Sequence, residues 1–179
     1  MSVYIKVTRR RLIIIIEPLI KVSAIILISI NLFSPVSVWR ALTYEEQVSA
    51  PSSTKATICG ISEEDFKLFS AVVEAESDRS DNFEGKVLIA ETIWNRVNSS
   101  DWPDTAYKCI AQKGQFQVYY EGTYKSVGRT DLSDLAVVEA YCRIEEGTAP
   151  NVIYFNCVGY NHLGTPYCYE GGNYFETVP

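Results

Sequence analysis

The stretch from Val72 to Val97, VVEAESDRSDNFEGKVLIAETIWNRV, decides the fold. Two apolar helical patterns meet in it across the short polar joint Ser77–Asn82. It holds six carboxylates, which are Glu74, Glu76, Asp78, Asp81, Glu84 and Glu91. A carboxyl group at the buried C-terminal end of a helix has a raised pKa, because desolvation and the negative end of the helix dipole both disfavour the anion. General acid catalysis requires such a group, so these acids are the first candidates for a site.

The patterns on either side of the joint predict two helices. Ser62 is a predicted N-cap with an acid at the third helical position, and an apolar face then continues to Glu76. The second helix is predicted from Phe83 to Val97, and its core stripe is Val87, Ala90, Trp94 and Val97.

Glu76 is the sharpest catalytic candidate among the six acids. On an idealised helix Glu74 and Glu76 point about 160° apart, so one of them faces a common cleft. The apolar residues three and seven positions before Glu76 put it on the buried side, which predicts that Glu74 is solvated. The other acids are predicted to cap helices or to lie in solvent, and Glu91 is predicted to form a surface pair with Asn95.

The N-terminal block, residues 1–40, reads as a signal peptide or an N-terminal membrane anchor. A basic flank precedes an apolar run, and the charge-free part of that run is Val22–Phe33. Either interpretation places the rest of the chain outside the cytoplasm, with membrane contact through this segment alone. Residues 41–57 contain Pro51 and a Ser/Thr cluster and are predicted to be a linker. Residues 58–179 are the predicted folded domain.

The charge of the chain is unevenly distributed. Of its 16 basic residues six lie in residues 1–40, whereas 21 of its 22 acidic residues follow them. An exported domain this acidic lacks the excess of basic residues that nucleic-acid binding requires. Neutral or mixed-charge partners such as glycans fit it better.

The remaining patterns predict a mainly helical α+β domain with a small C-terminal β-sheet. Helices are predicted around Thr105–Ala111 and over Asp131–Glu146, and strands at Val152–Phe155 and Asn173–Glu176. The Gly-, Gln- and Tyr-rich segment 112–130 has no sustained period and is predicted to be a long surface segment.

Aromatic residues concentrate in two parts of the domain, 116–124 and 154–175. They either pack an irregular half-domain or line a cleft in which sugar faces stack on rings, and both interpretations stay open. For the second interpretation, the candidate substrate-binding residues are Gln115, Phe116, Tyr154, Asn156, Asn173 and Tyr174.

A metal site or a nucleophilic cysteine is not expected, and no cofactor is predicted. His162 is the single histidine, and its spacing from Cys157 and Cys168 matches no common zinc site. A Cys157–Cys168 disulfide or two free thiols explains these cysteines better. The domain has five cysteines, so at least one has no intramolecular partner.

Several motifs in order resemble the SleB-type cell-wall hydrolases, the spore-cortex-lytic enzymes and their relatives. The resemblance lies in Glu74-Ala75-Glu76, Asn82-Phe83-Glu84-Gly85-Lys86-Val87, Trp94-Asn95-Arg96-Val97, Asp101-Trp102-Pro103-Asp104-Thr105, Lys113-Gly114-Gln115-Phe116, Val152-Ile153-Tyr154-Phe155-Asn156 and Gly172-Asn173-Tyr174-Phe175. It covers about Ser62 to Glu176. Two departures stand out: the joint after Glu76 is one residue longer than usual and lacks the common glycines, and Trp94 replaces an aliphatic residue.

The resemblance implies a lysozyme-like domain, related in architecture to lytic transglycosylases, that acts on peptidoglycan. It puts the catalytic glutamate at Glu76 and an acid that closes the joint at Asp81. The expected reaction is cleavage of the β-1,4 bond between N-acetylmuramic acid and N-acetylglucosamine by a lytic transglycosylase, with Glu76 as general acid and base. An inverting hydrolase would instead need Asp81 or another acid to activate water. The rival interpretations are an N-acetylmuramoyl-L-alanine amidase, which usually needs a metal, and a non-catalytic peptidoglycan-binding module.

Overall fold

The computed structural model describes residues 4–8, 11–15, 33–77 and 81–178, the first two ranges by their backbone alone. The chain divides into two units, Met1–Leu42 and Thr43–Pro179. In the first unit, β1 (Tyr4–Thr8) and β2 (Arg11–Ile15) form an antiparallel hairpin, and α1 spans Pro35–Arg40. The apolar run of the predicted leader lies mostly outside the described residues. Within the described ranges, no helix is long and apolar enough to cross a membrane.

The second unit is mainly helical and ends in a three-stranded antiparallel sheet, as the sequence predicts. Its elements are α2 (Tyr44–Ser49), α3 (Ser52–Ile58), α4 (Glu63–Glu76), α5 (Phe83–Val97), α6 (Ala106–Ile110), α7 (Gln117–Tyr120), α8 (Thr123–Val127), α9 (Asp131–Glu146), β3 (Val152–Asn156), β4 (Thr165–Glu170) and β5 (Asn173–Thr177).

Helix α5 is the centre of this unit. Every residue from Gly85 to Trp94 is buried, because α4, α9 and β3 all pack against the helix. The ring of Trp94 lies 5.2 Å from that of Phe69 on α4 and 5.3 Å from that of Tyr141 on α9. The buried surface of α5 is therefore wider than the predicted core stripe, since the helix is enclosed on nearly all sides.

The ends of the long helices follow the capping signals in the sequence. Ser62 Oγ accepts a hydrogen bond from the Asp65 amide at 3.0 Å and begins α4, which ends at Glu76 as predicted. Thr130 and Ser133 form a reciprocal capping box at the start of α9. Gly147 ends α9 in the left-handed conformation, with φ of 67°.

The prediction of a linker at residues 41–57 is wrong for most of that segment. Two helices, α2 and α3, occupy it, and α3 packs on α4 and α9. Lys55 of α3 is 2% exposed, and its Nζ lies 3.6 Å from Asp134 Oδ2 and donates to Val48 O. The Pro- and Ser-rich composition gave no sign of this burial, because the partner of Lys55 comes from α9, almost 80 residues later.

The sheet has the strand order β3-β5-β4. The sequence predicted β3 and β5, whereas β4 lies between them, where no strand was predicted. Strand β4 is a largely exposed edge strand and contains Pro166, so its alternation of apolar and polar residues is weak. The segment 112–130 also differs from the prediction, because it contains the short helices α7 and α8.

Candidate active site

Glu76 is the last residue of α4 and is half-buried. Its Oε1 is fully buried and has no hydrogen-bond partner within the described residues. Burial raises the pKa of Glu76 to about 7, and a hydrogen bond with the backbone of Val118 on α7 opposes that rise. The carboxyl group can therefore carry a proton near neutral pH, and Oε1 retains unused hydrogen-bonding capacity.

The β4–β5 hairpin approaches the two helix ends at the joint. Asn173, which is 5% exposed, donates from Nδ2 to the backbone carbonyl of Glu76 at 3.5 Å. A Cβ on Gly85 would lie 2.8 Å from the Cα of Gly171, so only glycine allows the hairpin turn to sit this close to α5. This close contact explains why a glycine stands between Glu84 and Lys86.

Asn82 fixes the same contact from the start of α5. Its Oδ1 accepts from the Gly85 amide at 2.8 Å and caps the helix, while its Nδ2 donates to the Glu170 carboxylate on β4. The hairpin is therefore bound to the ends of both helices that flank the joint, and the position of Glu76 depends on it.

The prediction that Glu74 is solvated is wrong. Glu74 is 4% exposed, and its Oε2 accepts from Lys86 Nζ at 2.9 Å and from Thr130 Oγ1 at 2.7 Å. Lys86 Nζ also donates to Ser77 Oγ at 2.7 Å, and Ser77 Oγ donates to the carbonyl of Glu74. Glu74 and Glu76 do point different ways, but the end of α4 is enclosed on both sides.

The predicted surface pair of Glu91 and Asn95 is also wrong. Glu91 is fully buried, with Oε1 3.5 Å from Arg143 Nη1 and Oε2 unpartnered within the described residues. Burial raises its pKa to about 7, against the attraction of Arg143. The Asn95 amide instead donates to the carbonyls of Pro150 and Val152 and so holds β3.

Of the remaining acids, Asp81 and Glu84 are not enclosed with Glu76. Asp81 is exposed, and Asp78 lies outside the described residues. Glu84 forms a bidentate ion pair with Arg143, at 2.7 and 2.9 Å. Among the groups that the structure describes, no carboxylate contributes to the pKa shift of Glu76.

The six predicted substrate-binding residues do not form one cluster around Glu76. Gln115 is exposed beside α7, but the Phe116 ring is completely buried, so it has no face for a sugar and belongs to the core. Asn173 is buried and holds the Glu76 carbonyl. The Asn156 amide is engaged within its own loop, where Nδ2 donates to Asn161 and Oδ1 accepts from the Val158 amide.

Tyr174 belongs to an aromatic face of the sheet. It lies directly opposite Asn156 on β3 and Tyr169 on β4, and opposed residues in neighbouring strands share a face. Its ring is 4.6 Å from that of Tyr169 and 5.1 Å from that of Tyr160. Because side chains alternate along a strand, Asn173 points to the other face, towards the helices.

Tyr154 lines a separate open cavity of about 510 Å³ at the C-terminal end of α5. Asn95, Asn98, Asp101 and Trp102 line it as well. The Trp102 ring is 6.1 Å from that of Tyr154. The structure thus places Tyr154 near the end of α5, whereas Glu76 lies near its beginning.

Cys157 is an exposed free thiol and Cys168 a half-buried one, so no disulfide joins them. Strand β5 separates β3, which precedes Cys157, from β4, which contains Cys168. In the described part of the chain, no group of three His, Cys, Asp or Glu residues could hold a metal ion.

Sequence reasoning missed the residues that bind the last turn of α4, which are Ser77, Lys86, Val118 and Thr130. One signal was available for Lys86, because it shares a helical face with Ala90 and Ile93 and so points into the core. A lysine at such a position needs an acidic partner, and the end of the preceding helix offers Glu74 and Glu76.

Part of the chain matches a known protein family. Residues 80–166 match the family model described as Cell Wall Hydrolase. No curated protein matches the chain. Glu76 precedes the first matched residue, so its role does not follow from this match.

Two solved structures share the fold. The catalytic domain of the germination-specific lytic transglycosylase SleB from Bacillus anthracis is 22% identical, with a TM-score of 0.55, and the match covers 66% of this chain and 98% of that domain. The catalytic domain of the Bacillus cereus SleB protein is 23% identical, with a TM-score of 0.54, and the match covers 65% and 91%. Residues 80–166 therefore resemble cell-wall hydrolases, and the chain shares the fold of the two SleB catalytic domains, which agrees with the resemblance read from the motifs.

Proposed function

We propose that this chain is a lytic transglycosylase that cleaves the β-1,4 bond between N-acetylmuramic acid and N-acetylglucosamine in peptidoglycan. The observation that carries the proposal is Glu76, a half-buried carboxyl group whose pKa burial raises to about 7. A general acid works best when its pKa lies near the working pH. The fold shared with a domain titled as a lytic transglycosylase supports the same reaction.

In the proposed mechanism, Glu76 acts twice. Its proton passes to the glycosidic oxygen as the bond from that oxygen to C1 of the muramyl residue breaks, and positive charge develops on the ring as an oxocarbenium-like state. The Glu76 carboxylate then accepts the proton of the muramyl C6 hydroxyl while that oxygen bonds to C1. The products are a 1,6-anhydromuramyl end and a free glycan end, and no water is consumed.

The surroundings of Glu76 support this route over an inverting hydrolysis. An inverting enzyme needs a second carboxylate to activate water on the opposite face of the sugar. Asp81, the acid that the family pattern offers, is exposed, and among the described residues none adds a carboxylate charge to the pKa of Glu76. Transglycosylation needs one carboxyl group that exchanges a proton in both directions, which suits a pKa near 7.

The glycan strand requires a surface as well as an acid. We propose that Tyr174 stacks on sugar rings together with Tyr169 and Tyr160, because these rings form one aromatic face of the sheet. Gln115 and Tyr154 remain proposed contacts further along the glycan strand. Peptidoglycan lies outside the cytoplasmic membrane, so the proposed site of action is extracytoplasmic.

The test is digestion of purified peptidoglycan by the wild type and by Glu76→Gln, followed by mass spectrometry of the fragments. Anhydromuramyl products that vanish in Glu76→Gln are the expected result. Glu64→Gln is a matched control, since Glu64 is an exposed acid at the other end of the same helix, and it should act like the wild type. Reducing muramyl ends would instead indicate hydrolysis, and released stem peptides an amidase. Binding without any product would contradict an enzymatic role.

A further inference from the structure

The buried ion pair between Lys86 and Glu74 has no role in the proposed chemistry, yet it lies beside the acid. Lys86 is 1% exposed and Glu74 4%, so neither can contact a glycan. Burying such a pair costs desolvation energy that its Coulomb attraction often fails to exceed, and an apolar pair of the same volume is frequently as stable. The residues that the pair holds in place therefore explain it better than a contribution to stability does.

The pair joins residues on both sides of Glu76. Lys86 on α5 donates from Nζ to the Glu74 carboxylate at 2.9 Å and to the Ser77 hydroxyl at 2.7 Å. Glu74 lies two residues before Glu76, and Ser77 directly follows it. Ser77 Oγ also donates to the carbonyl of Glu74 at 2.9 Å, which closes a ring of bonds around the last turn of α4. A helix end normally leaves its last carbonyls unbonded and frays.

Thr130 extends this network to a third helix. Its hydroxyl donates to Glu74 Oε2 at 2.7 Å while the same residue caps α9. The last turn of α4 is thereby attached to α5 and α9 by charge-assisted hydrogen bonds, which are stronger than neutral ones. Displacing that turn would break several bonds at once.

We propose that Lys86 is a positioning residue for Glu76: by binding Glu74 and Ser77, it locks the last turn of α4 so that the Glu76 carboxyl group stays enclosed at one place. Its catalytic consequence rests on the proposed function, whereas its effect on the enclosure of Glu76 does not.

The decisive variant is the double substitution Glu74→Gln/Lys86→Met, which removes both charges and approximately conserves volume. In the wild type, the ¹³C signal of the Glu76 side-chain carboxyl, assigned by its absence in Glu76→Gln, should titrate at about 7. In the double variant the released helix end admits water, so the midpoint should fall to about 6 or below. Glu63→Gln/Lys67→Met is the matched control, since it removes an exposed ion pair from the same helix, and its midpoint should equal the wild type.

This design separates positioning from a simple effect of charge. If Lys86 acted on Glu76 through its charge alone, Lys86→Met would raise the midpoint and the double variant would restore it. A double variant that folds and titrates like the wild type therefore overturns the proposal. If the double variant does not fold, Ser77→Ala cuts the link to the residue after Glu76 while it keeps the ion pair, and its midpoint should also fall. An unchanged midpoint there overturns the proposal equally.

Activity provides the second measurement. For a displaced acid on an intact binding surface, we expect kcat of the double variant to fall at least about tenfold, with KM within about twofold of the wild type. The alkaline limb of the pH–rate profile should move to lower pH together with the titration midpoint. If the wild type yields no anhydromuramyl product, the proposed reaction fails, but the titration still decides the role of Lys86.

Discussion

The contact between Gly85 and Gly171 leads to a prediction whose sign depends on the structure. Replacing a helical glycine by alanine usually stabilises a protein by up to about 1 kcal/mol, because alanine has the higher helix propensity. At Gly85, however, the new Cβ would lie 2.8 Å from the Cα and 3.3 Å from the amide nitrogen of Gly171. Both are backbone atoms, so no side chain can rotate away, and overpacking of this kind costs about 1–3 kcal/mol.

We therefore expect Gly85→Ala to lose about 1 kcal/mol of unfolding free energy rather than gain it. The hairpin turn must shift, and Asn173 follows it away from the Glu76 carbonyl, so peptidoglycan cleavage should fall more than stability alone explains. Urea denaturation followed by far-ultraviolet circular dichroism measures the first effect, and product formation at saturating substrate measures the second. Gly159→Ala is the control, since a Cβ there meets nothing within 4 Å, and it should be neutral or slightly stabilising.

A Gly85→Ala variant that is more stable by about 1 kcal/mol and fully active would refute this reasoning. It would mean that the hairpin turn adapts without strain and that the glycine of the motif serves helix formation alone. Loss of activity without loss of stability would show that the turn moves easily but still positions the acid.

Two further predictions concern pH. If Glu76 is the general acid it must be protonated, so kcat/KM should fall as pH rises through about 7, and a limb near pH 4.5 would contradict the enclosure of Glu76. For Glu91, the folded state binds the proton more tightly than the unfolded state, so this group's contribution is complete below about pH 4.5 and is lost as pH rises to about 7. Glu91→Gln should therefore be more stable than the wild type above pH 7, by at most about 3 kcal/mol, and should lose the advantage near pH 4.5 in denaturation experiments.

The long helices could be predicted because their signals are local. Ser62 and the apolar residues of α4 lie within one short segment, and the same is true of α5 and α9. The family resemblance could be read for the same reason, since each of its motifs is contiguous. Strand β4 could not be predicted, because it has one neighbouring strand and mostly exposed side chains, and thus little selection for alternating polarity.

The errors at the site arose from partners far away in the sequence. The angle between Glu74 and Glu76 was predicted correctly, but solvation of Glu74 did not follow from it, because Lys86 and Thr130 cover that side. Arg143 does the same for Glu91. Glu74 and Glu91, both predicted to be exposed, are buried because a later helix supplies an opposite charge, and helical periodicity carries no information about such a charge.

The two glutamates at the end of α4 illustrate how a fold can assign different roles to identical side chains. Both are enclosed, but Glu74 is committed to an ammonium group and a hydroxyl, whereas Oε1 of Glu76 has no partner within the described residues. The ion pair holds the Glu74 carboxylate in one place, whereas the Glu76 carboxyl group, with a pKa near 7, can gain and lose a proton near neutral pH. The ammonium group of Lys86, which would favour the anionic form of Glu76 if it were bound there, is bound to Glu74 instead. The joint after Glu76 lacks the glycines common in the family that it resembles, and side chains from α5 and the β4–β5 hairpin bind Glu74 and Glu76, just before the joint. We therefore expect the reactivity of Glu76 to depend as much on Lys86, Ser77 and Asn173 as on the length of the joint.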